Sequence, residues 1–190
     1  MWTVDGRIAF VAEEAGATSV TGVDVLPATE AFEAERARRG SAVRFVQGDL
    51  NDAATVADVG PHEVVWCSGV LYHAPNPVLT LARLRELTTG LLILQTTLVP
   101  ELPGVRQGLV FYPGLAEHER RLYHRWGEAA ARGLRDPASA EGIASYEPWW
   151  WGFSPSALRA MLRAAGFEPF EEIGDPFGLH VLARPAVTSS

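Results

Sequence analysis

Strand and helix signals alternate along the first half of the sequence, and this alternation restricts the possible folds more than any other feature. Apolar residues recur at helical spacing from Ile8 to Ala15, and a β-branched run follows from Ser19 to Val25. A second helix is predicted from Thr29 to Arg39, and a second strand from Val43 to Gln47. Repeats of this kind predict an α/β fold with a doubly wound, mostly parallel sheet, in which ligands bind at the carboxyl ends of the strands.

Two apolar runs continue the alternation farther along the chain. They are VVWC, from Val64 to Cys67, and the run from Leu91 to Thr96. Neither shows the polar alternation of a half-exposed strand, so both are predicted to be parallel strands buried on both faces. Between them, Asn76-Pro77 supplies a capping side chain and a first-turn proline, which predicts the start of a helix.

Residues 98–151 interrupt this pattern with Pro, Gly and aromatic residues around one polar helix, predicted from Glu117 to Arg132. Irregular segments that interrupt a regular scaffold often carry specificity. We therefore interpret residues 1–190 as a single domain in which residues 98–151 form a substrate-side insertion or lid.

Regular signals return after the insertion. Ser154-Pro155 begins a helix whose apolar face ends before Gly166. Two strands are predicted after this helix, from Phe167 to Ile173 and from His180 to Arg184, with Gly and Pro residues between them. These strands predict a C-terminal antiparallel hairpin at an edge of the sheet.

Charge and composition exclude several classes of protein. The 190 residues carry a formal net charge of −7, which disfavours a nucleic-acid partner because a phosphate backbone requires the opposite sign. The single cysteine, Cys67, cannot form an internal disulfide, so nothing requires an oxidising compartment. No apolar run approaches the roughly 18 residues that a membrane span needs. The sequence therefore predicts a cytoplasmic protein with no membrane partner, and it leaves the oligomeric state open.

Small polar residues follow three of the predicted strands, at Asp24, Asp49 and Ser68. A strand-end carboxylate can accept both hydroxyls of a ribose, because its two oxygens match a vicinal diol, and a second carboxylate can accept from an adenine amino group. The alternative is that Asp24 closes a turn or caps a helix, and that Asp49 caps the following turn.

Several stretches resemble one protein family over nearly the whole chain. They are DGRIAFVAEEAGA, VTGVDV, VRFVQGDL, VVWCSGVLYHAPNPVLTLARLREL, GLLILQT and PWWWGFSPSALRAMLRAAGF. The family is the class I S-adenosylmethionine-dependent methyltransferases, and GVLYH with the aromatic cluster most resembles the branch that includes the tRNA wobble-uridine carboxymethyl-transferring enzymes. The resemblance implies a Rossmann-like methyltransferase sheet and S-adenosyl-L-methionine as the cofactor.

The resemblance also implies which residues hold that cofactor. It assigns the ribose to Asp24-Val25, the adenine to Asp49-Leu50 and the methionine end to Ser68-Gly69. Family members begin with a strand and a turn of the form Asp-x-Gly-x-x-Asp-Gly, of which only Asp5-Gly6 remains, and these two residues join the assigned set. The first central strand is therefore expected to be absent, through either a truncated start or an altered function.

The candidate catalytic residues lie in the loop after VVWC. His73 is the candidate base, because an imidazole with a pKa of about 6.5 can take a proton at neutral pH. Tyr72 is the second candidate, able to contact the sulfonium or a cofactor carboxylate. The alternatives are that His73 orients the loop through backbone hydrogen bonds and that Tyr72 packs beneath the lid. No metal is predicted, because the other histidines show no ligand spacing with each other or with Cys67.

Large aromatic residues are concentrated within the insertion. They are Phe111, Tyr112, Trp149, Trp150 and Trp151. They are predicted to line an apolar or aromatic acceptor pocket, and the alternative is that they form core packing between the insertion and the sheet.

These observations favour methyl transfer from S-adenosylmethionine to an oxygen, nitrogen or carbon atom of a small-molecule acceptor. Modification of tRNA is an alternative that the resemblance allows and the net charge of −7 disfavours. A non-catalytic methyltransferase-fold binding module, or an inactive truncated form, is a third interpretation. A nicotinamide-dependent dehydrogenase is disfavoured, because the sequence contains no GxGxxG motif.

Overall fold

The computed structural model describes residues 6–115, 149–175 and 178–187 of the chain. The chain divides into two compact units, Met1–Gly60 and Pro61–Ser190. The predicted insertion helix, Glu117 to Arg132, lies outside the described residues, and so does Asp5.

The first unit contains helices and a pair of parallel strands in the predicted alternating order. Its elements are α1 (Arg7–Glu14), β1 (Thr21–Asp24), α2 (Glu30–Arg39), β2 (Arg44–Gln47) and α3 (Ala53–Val59). The two strands run parallel in register, with Thr21 opposite Arg44 and Asp24 opposite Gln47. The predicted strand and helix signals of this region are confirmed, with the strands somewhat shorter than expected.

Local signals define both ends of α2. Thr29 precedes the helix, and its Oγ1 accepts a hydrogen bond from the Phe32 N–H at 3.1 Å. Gly40 follows the helix with a φ of 60°, the left-handed conformation that glycine adopts without a Cβ clash. Phe32 is buried in the core of this unit, where its ring stacks on that of Phe10 at a centroid distance of 5.4 Å.

Gly6 precedes α1 in a conformation that requires glycine. Its φ is +70°, and a Cβ at this position would overlap the ring of Phe32. The packing of the first unit therefore needs a glycine here independently of any ligand.

The second unit carries a four-stranded mixed sheet and a separate two-stranded ribbon. Its elements are β3 (His62–Ser68), a 3-10 turn (Leu71–His73), α4 (Pro77–Leu87), β4 (Thr88–Thr96), β5 (Leu109–Leu115), β6 (Trp149–Phe153), α5 (Pro155–Ala164), β7 (Phe167–Asp175) and β8 (Gly178–Pro185).

The four-stranded sheet has the order β3-β4-β8-β7. β3 and β4 are parallel, whereas β8 runs antiparallel to both β4 and β7. The mixed α/β fold and the C-terminal antiparallel hairpin are confirmed.

One prediction about β3 is wrong. The strand was expected to be buried on both faces, yet Val64 is 52% exposed and Trp66 is 41% exposed. Val64 and Trp66 are two residues apart and therefore point to the same face of the strand, so it is this face of β3 that stays partly open; among the described residues β3 pairs with β4 alone. β1 likewise pairs with β2 alone in the described part of the chain.

The core of the second unit includes residues of its central strands and of α5. Leu92 and Leu94 of β4 are fully buried, as is Val181 of β8. Leu158 and Leu162 of α5 are fully buried as well, and their spacing of four residues places them on one helix face. The apolar face predicted for this helix is thus confirmed by its burial.

The insertion contributes an antiparallel ribbon that the sequence pattern did not predict. Leu109 of β5 pairs with Phe153 of β6, and Phe111 pairs with Trp151. The ribbon brings together residues that the sequence separates by about forty positions, so no local turn signal marks it.

Within the described residues, no helix is both long and apolar enough to cross a membrane.

Candidate functional site

Asp24 lies at the carboxyl end of β1, as the sequence predicted. Its Oδ1 accepts a hydrogen bond from the Leu26 N–H at 3.0 Å, so the carboxylate closes the turn that leaves the strand. Gln47 Nε2 donates to the Val25 carbonyl oxygen at 3.3 Å, which ties the same turn to β2. The predicted turn role of Asp24 is therefore present, and it holds the carboxylate at the strand end where a ligand role would also need it.

Asp49 follows β2 in a tight turn of its own. Its Oδ1 accepts from the Asn51 N–H at 2.7 Å, while Asp52 rather than Asp49 caps α3, through a 3.1 Å bond from the Ala54 N–H. The Gly48 N–H donates to the Asp24 carbonyl oxygen at 2.8 Å. These contacts bring the two predicted strand-end carboxylates to the same end of the β1–β2 pair.

Ser68 and Gly69 end β3 and are held by a residue that the sequence patterns did not identify. The Ser68 hydroxyl donates to Gln95 Oε1 at 3.0 Å, and the Gly69 N–H approaches the same oxygen at 3.2 Å. The Gly69 N–H also lies 3.3 Å from the Gln95 carbonyl oxygen, and Gly69 has a φ of 71°. A polar residue at the end of an otherwise apolar strand was the signal available for Gln95.

The two catalytic candidates sit in the 3-10 turn after this loop, and both are buried. Tyr72 is 8% exposed and His73 is 2% exposed, with their ring centroids 4.2 Å apart. The His73 N–H donates to the Val70 carbonyl oxygen at 2.9 Å, which closes the turn. The structure therefore brings the two side chains together beneath the surface of the second unit.

Two of the five aromatic acceptor candidates belong to the same buried cluster. The Trp149 ring lies 4.6 Å from that of Tyr72 and 6.3 Å from that of His73, and Tyr112 packs edge-on against Trp149 at 6.3 Å. Burial raises the pKa of Tyr112 to about 12, so its hydroxyl keeps its proton at neutral pH. The alternative interpretation, in which the aromatic residues form core packing, fits the surroundings of Tyr112 and Trp149.

The other three aromatic candidates form a more open group on the ribbon. Phe111 is 55% exposed, and its ring centroid lies 5.0 Å from that of Trp151 and 6.3 Å from that of Trp150. Trp151 Nε1 donates to the Pro75 carbonyl oxygen at 3.2 Å. This bond attaches the open group to the segment that follows His73.

The predicted cofactor residues divide between the two units. Gly6, Asp24-Val25 and Asp49-Leu50 belong to the first unit, and Ser68-Gly69 to the second. Asp5 lies outside the described residues.

Nucleophilic and metal-binding chemistry finds little support in the described ranges. Burial raises the pKa of the Cys67 thiol to about 11, so the thiolate is not formed at neutral pH. Across residues 6–115, 149–175 and 178–187, no group of three or more His, Cys, Asp or Glu residues is arranged to hold a metal ion.

A cavity of about 520 Å³ opens between the segment after β4 and the start of α5. Glu101 lines it and accepts from both the N–H and the hydroxyl of Ser156, each at 2.7 Å. These hydrogen bonds lower the pKa of Glu101. The Glu101 carboxylate therefore stabilises the first turn of α5.

Thr96 provides a stability test beside Gln95. It is fully buried, and its Oγ1 has no hydrogen-bond partner in the part of the chain that the structure describes. A buried hydroxyl without a partner is destabilising, so Thr96→Val should raise the free energy of unfolding by about 1 kcal/mol. Thermal unfolding followed by circular dichroism would measure this as a melting temperature about 2 to 4 °C higher. A lower melting temperature would show that the hydroxyl is hydrogen-bonded in solution.

Comparisons with known proteins agree with this architecture. Residues 4–90 match the methyltransferase domain family, and no curated protein matches the sequence. Among solved structures, the chain is similar to the 1,6-didemethyltoxoflavin-N1-methyltransferase of Burkholderia thailandensis, bound to 1,6-didemethyltoxoflavin and S-adenosylhomocysteine. The TM-score is 0.62 at 20% identity, with 96% of this chain and 68% of that chain covered.

Two further structures show the same likeness. The magnesium protoporphyrin IX methyltransferase of Synechocystis, with bound S-adenosylhomocysteine, has a TM-score of 0.55 at 17% identity, covering 95% of this chain and 70% of that one. A putative methyltransferase of Bacillus halodurans has a TM-score of 0.55 at 14% identity, covering 97% and 90%. These likenesses establish a methyltransferase-like α/β fold, and they do not confirm the resemblance to the tRNA-modifying branch.

Proposed function

We propose that this chain is an S-adenosylmethionine-dependent methyltransferase that acts on a small-molecule acceptor. The observation that carries the proposal is the position of Asp24 and Asp49 at the carboxyl end of the parallel pair β1–β2, while Ser68-Gly69 holds the corresponding position at the end of β3, which is parallel to β4. All of them lie within residues 4–90, the part that matches the methyltransferase domain family. Similar structures contain S-adenosylhomocysteine, the product that S-adenosylmethionine leaves after methyl transfer, and this supports S-adenosylmethionine as the cofactor here.

The chemistry of these side chains fits the proposed cofactor. Carboxylates accept hydrogen bonds, which suits Asp24-Val25 to the ribose hydroxyls and Asp49-Leu50 to the adenine amino group. Ser68-Gly69 would hold the methionine end, and Asp5-Gly6 completes the proposed cofactor-binding set. When bound, the cofactor supplies a methyl group on a sulfonium, so the protein needs chiefly to align an acceptor with it.

The acceptor is proposed to bind on the side of the insertion, residues 98–151. The open aromatic group of Phe111, Trp150 and Trp151 offers apolar surface there, and such surface is common in small-molecule sites. Tyr112 and Trp149, which pack against each other, are the neighbouring residues of this group along the two strands of the ribbon. The net charge of −7 disfavours tRNA as the acceptor.

His73 is the proposed base, with Tyr72 beside it. His73→Ala should lower turnover about 100-fold, the scale of general-base assistance, while affinity for S-adenosylhomocysteine stays within about threefold. Methyl transfer from radiolabelled cofactor to an acceptor found by screening would measure turnover, and isothermal titration would measure affinity. Retained turnover with a lower melting temperature would assign the ring to packing against Tyr72 and Trp149.

A non-catalytic binding module is the second candidate. It is favoured by the pairing of β1 with β2 alone and of β3 with β4 alone in the described residues. Such a module would keep the fold while lacking affinity for the cofactor.

Isothermal titration of the 190-residue chain with S-adenosylmethionine and S-adenosylhomocysteine separates the two candidates. We expect saturable heat from both ligands well below about 1 mM. Nicotinamide adenine dinucleotide is the matched control, because it shares the adenosine group, and it should give no heat. The absence of binding by either sulfur-containing ligand would overturn the proposed enzyme and favour the module.

A further inference from the structure

Gln95 lies at the centre of a row of residues that crosses the sheet near the carboxyl end of β4. Its parallel neighbour in β3 is Ser68, and its antiparallel neighbour in β8 is His180. Gln95 is only 9% exposed, so its side chain is held inside the second unit. A buried primary amide needs hydrogen-bond partners, and those of Gln95 are Ser68, the last residue of β3, and Gly69, the first residue after it.

The orientation of the amide is determined by those partners. The Gly69 backbone N–H is a donor only, so it must face an oxygen, which assigns Oε1 to the 3.2 Å contact. The Ser68 hydroxyl donates to the same Oε1 at 3.0 Å. One side-chain oxygen therefore fixes two consecutive residues of the loop.

The loop needs such an anchor because Gly69 has a φ of 71°. Glycine populates this region without a steric penalty, but it also leaves many other conformations open to the backbone. The Gln95 carbonyl oxygen, 3.3 Å from the Gly69 N–H, is a second acceptor for that donor and strengthens the attachment. Among the described residues, the conformation of Ser68-Gly69 thus depends on Gln95, which lies 26 positions after Gly69 in the chain.

We infer that Gln95 is a positioning residue for the methyl-donor site. It holds Ser68-Gly69 in the conformation that receives the methionine end of the cofactor, and this role rests on the proposed function. Gln95 itself acts through the loop: its Oε1 is occupied by Ser68 and Gly69. Pre-ordering of the loop contributes to affinity because the bound conformation exists before the ligand arrives.

Four variants of the full chain test this role. Gln95→Met keeps the shape of the side chain and removes the acceptor, whereas Gln95→Glu keeps an acceptor oxygen at the same distance along the side chain. Gln95→Asn retains the amide but shortens its reach by one methylene, which tests the role without burying an apolar group. Thr96→Val is the matched control, because consecutive strand residues point to opposite faces and Thr96 Oγ1 makes no hydrogen bond among the described residues.

Two measurements distinguish positioning from a general contribution to folding. Isothermal titration with S-adenosylhomocysteine should show affinity at least tenfold weaker for Gln95→Met and Gln95→Asn, and within about threefold of the unmodified chain for Gln95→Glu and Thr96→Val. Hydrogen exchange of the peptide that contains Gly69 should be faster in Gln95→Met and Gln95→Asn only. Melting temperatures identify any variant that fails to fold. If Gln95→Met fails to fold, the affinity of Gln95→Asn decides the outcome.

The failures of this role and of the proposed function are distinguishable. If the unmodified chain binds S-adenosylhomocysteine and Gln95→Asn binds it equally well, the positioning role is overturned while the proposed function stands. Equal losses in Gln95→Glu and Gln95→Met would also overturn it, because the acceptor oxygen would then be irrelevant. If the unmodified chain does not bind, the proposed function fails and the positioning role fails with it, whatever the exchange rates.

Discussion

The Asp24→Ala variant should bind S-adenosylhomocysteine at least 100-fold more weakly than the unmodified chain. A carboxylate that accepts both hydroxyls of a ribose makes two charge-assisted hydrogen bonds, each worth about 1.5 to 3 kcal/mol, and a tenfold change in affinity corresponds to about 1.4 kcal/mol. Loss of the pair therefore removes binding at the concentrations used in isothermal titration, which is the measurement that checks it.

Asn at the same position separates the ligand role of Asp24 from its turn role. The Leu26 N–H donates to Oδ1, and an asparagine side chain can accept the same hydrogen bond. Asp24→Asn should therefore keep the melting temperature of the unmodified chain but lose most of the affinity, because the negative charge and one acceptor are gone. If Asp24→Asn bound the cofactor as tightly as the unmodified chain, the carboxylate would serve the turn alone.

The sequence predicts the elements of this fold best where side chains cap a helix. Thr29, Asn76 and Ser154 were visible as starting signals, and each accepts a hydrogen bond from an N–H in the first turn of its helix. These signals are local, since cap and partner lie three residues apart. Helix starts could therefore be placed without knowledge of the tertiary structure.

The boundary between α4 and β4 was misplaced for a reason that is not local. The strand was predicted to begin at Leu91, yet α4 ends at Leu87 and β4 already begins at Thr88. Gly90 lies within the strand, where a Cβ would stand 2.8 Å from the Glu63 carbonyl oxygen of β3. A glycine is needed here because β3 and β4 approach each other closely, and this approach becomes visible only when the strands are paired.

Side-chain environments in the candidate site were the least predictable feature. The position of His73 in the chain indicated a loop residue within reach of an acceptor, whereas packing by Tyr72 and Trp149 leaves it 2% exposed. Trp149 reaches this turn because β6 pairs with β5 across the insertion, which no sequence period marks. Gln95 escaped notice for a similar reason, since its partners lie in the neighbouring strand.

The Gly178→Ala variant should destabilise the second unit severely. Gly178 begins β8 with a φ of +153°, and a Cβ there would overlap the Thr96 carbonyl oxygen and crowd the backbone of Thr97. Backbone strain and overpacking each cost about 1 to 3 kcal/mol, so we expect a loss of roughly 3 kcal/mol and a melting temperature about 6 to 12 °C lower. The obstacle is backbone rather than the end of a flexible side chain, so relief requires β4 and β8 to move apart.

Gly174 supplies the matched control in the same hairpin. It lies in β7 opposite Leu179, and an added Cβ would meet no atom of the described residues within 4 Å. Gly174→Ala should therefore change the free energy of unfolding by no more than about 0.5 kcal/mol. Because β8 joins β4 to β7 and Thr96 follows Gln95, separation of β4 from β8 by Gly178→Ala should also release the loop that Gln95 holds. Hydrogen exchange at Gly69 should accordingly rise in Gly178→Ala but not in Gly174→Ala, and equal exchange in the two variants would show that the β3 loop is held independently of β8.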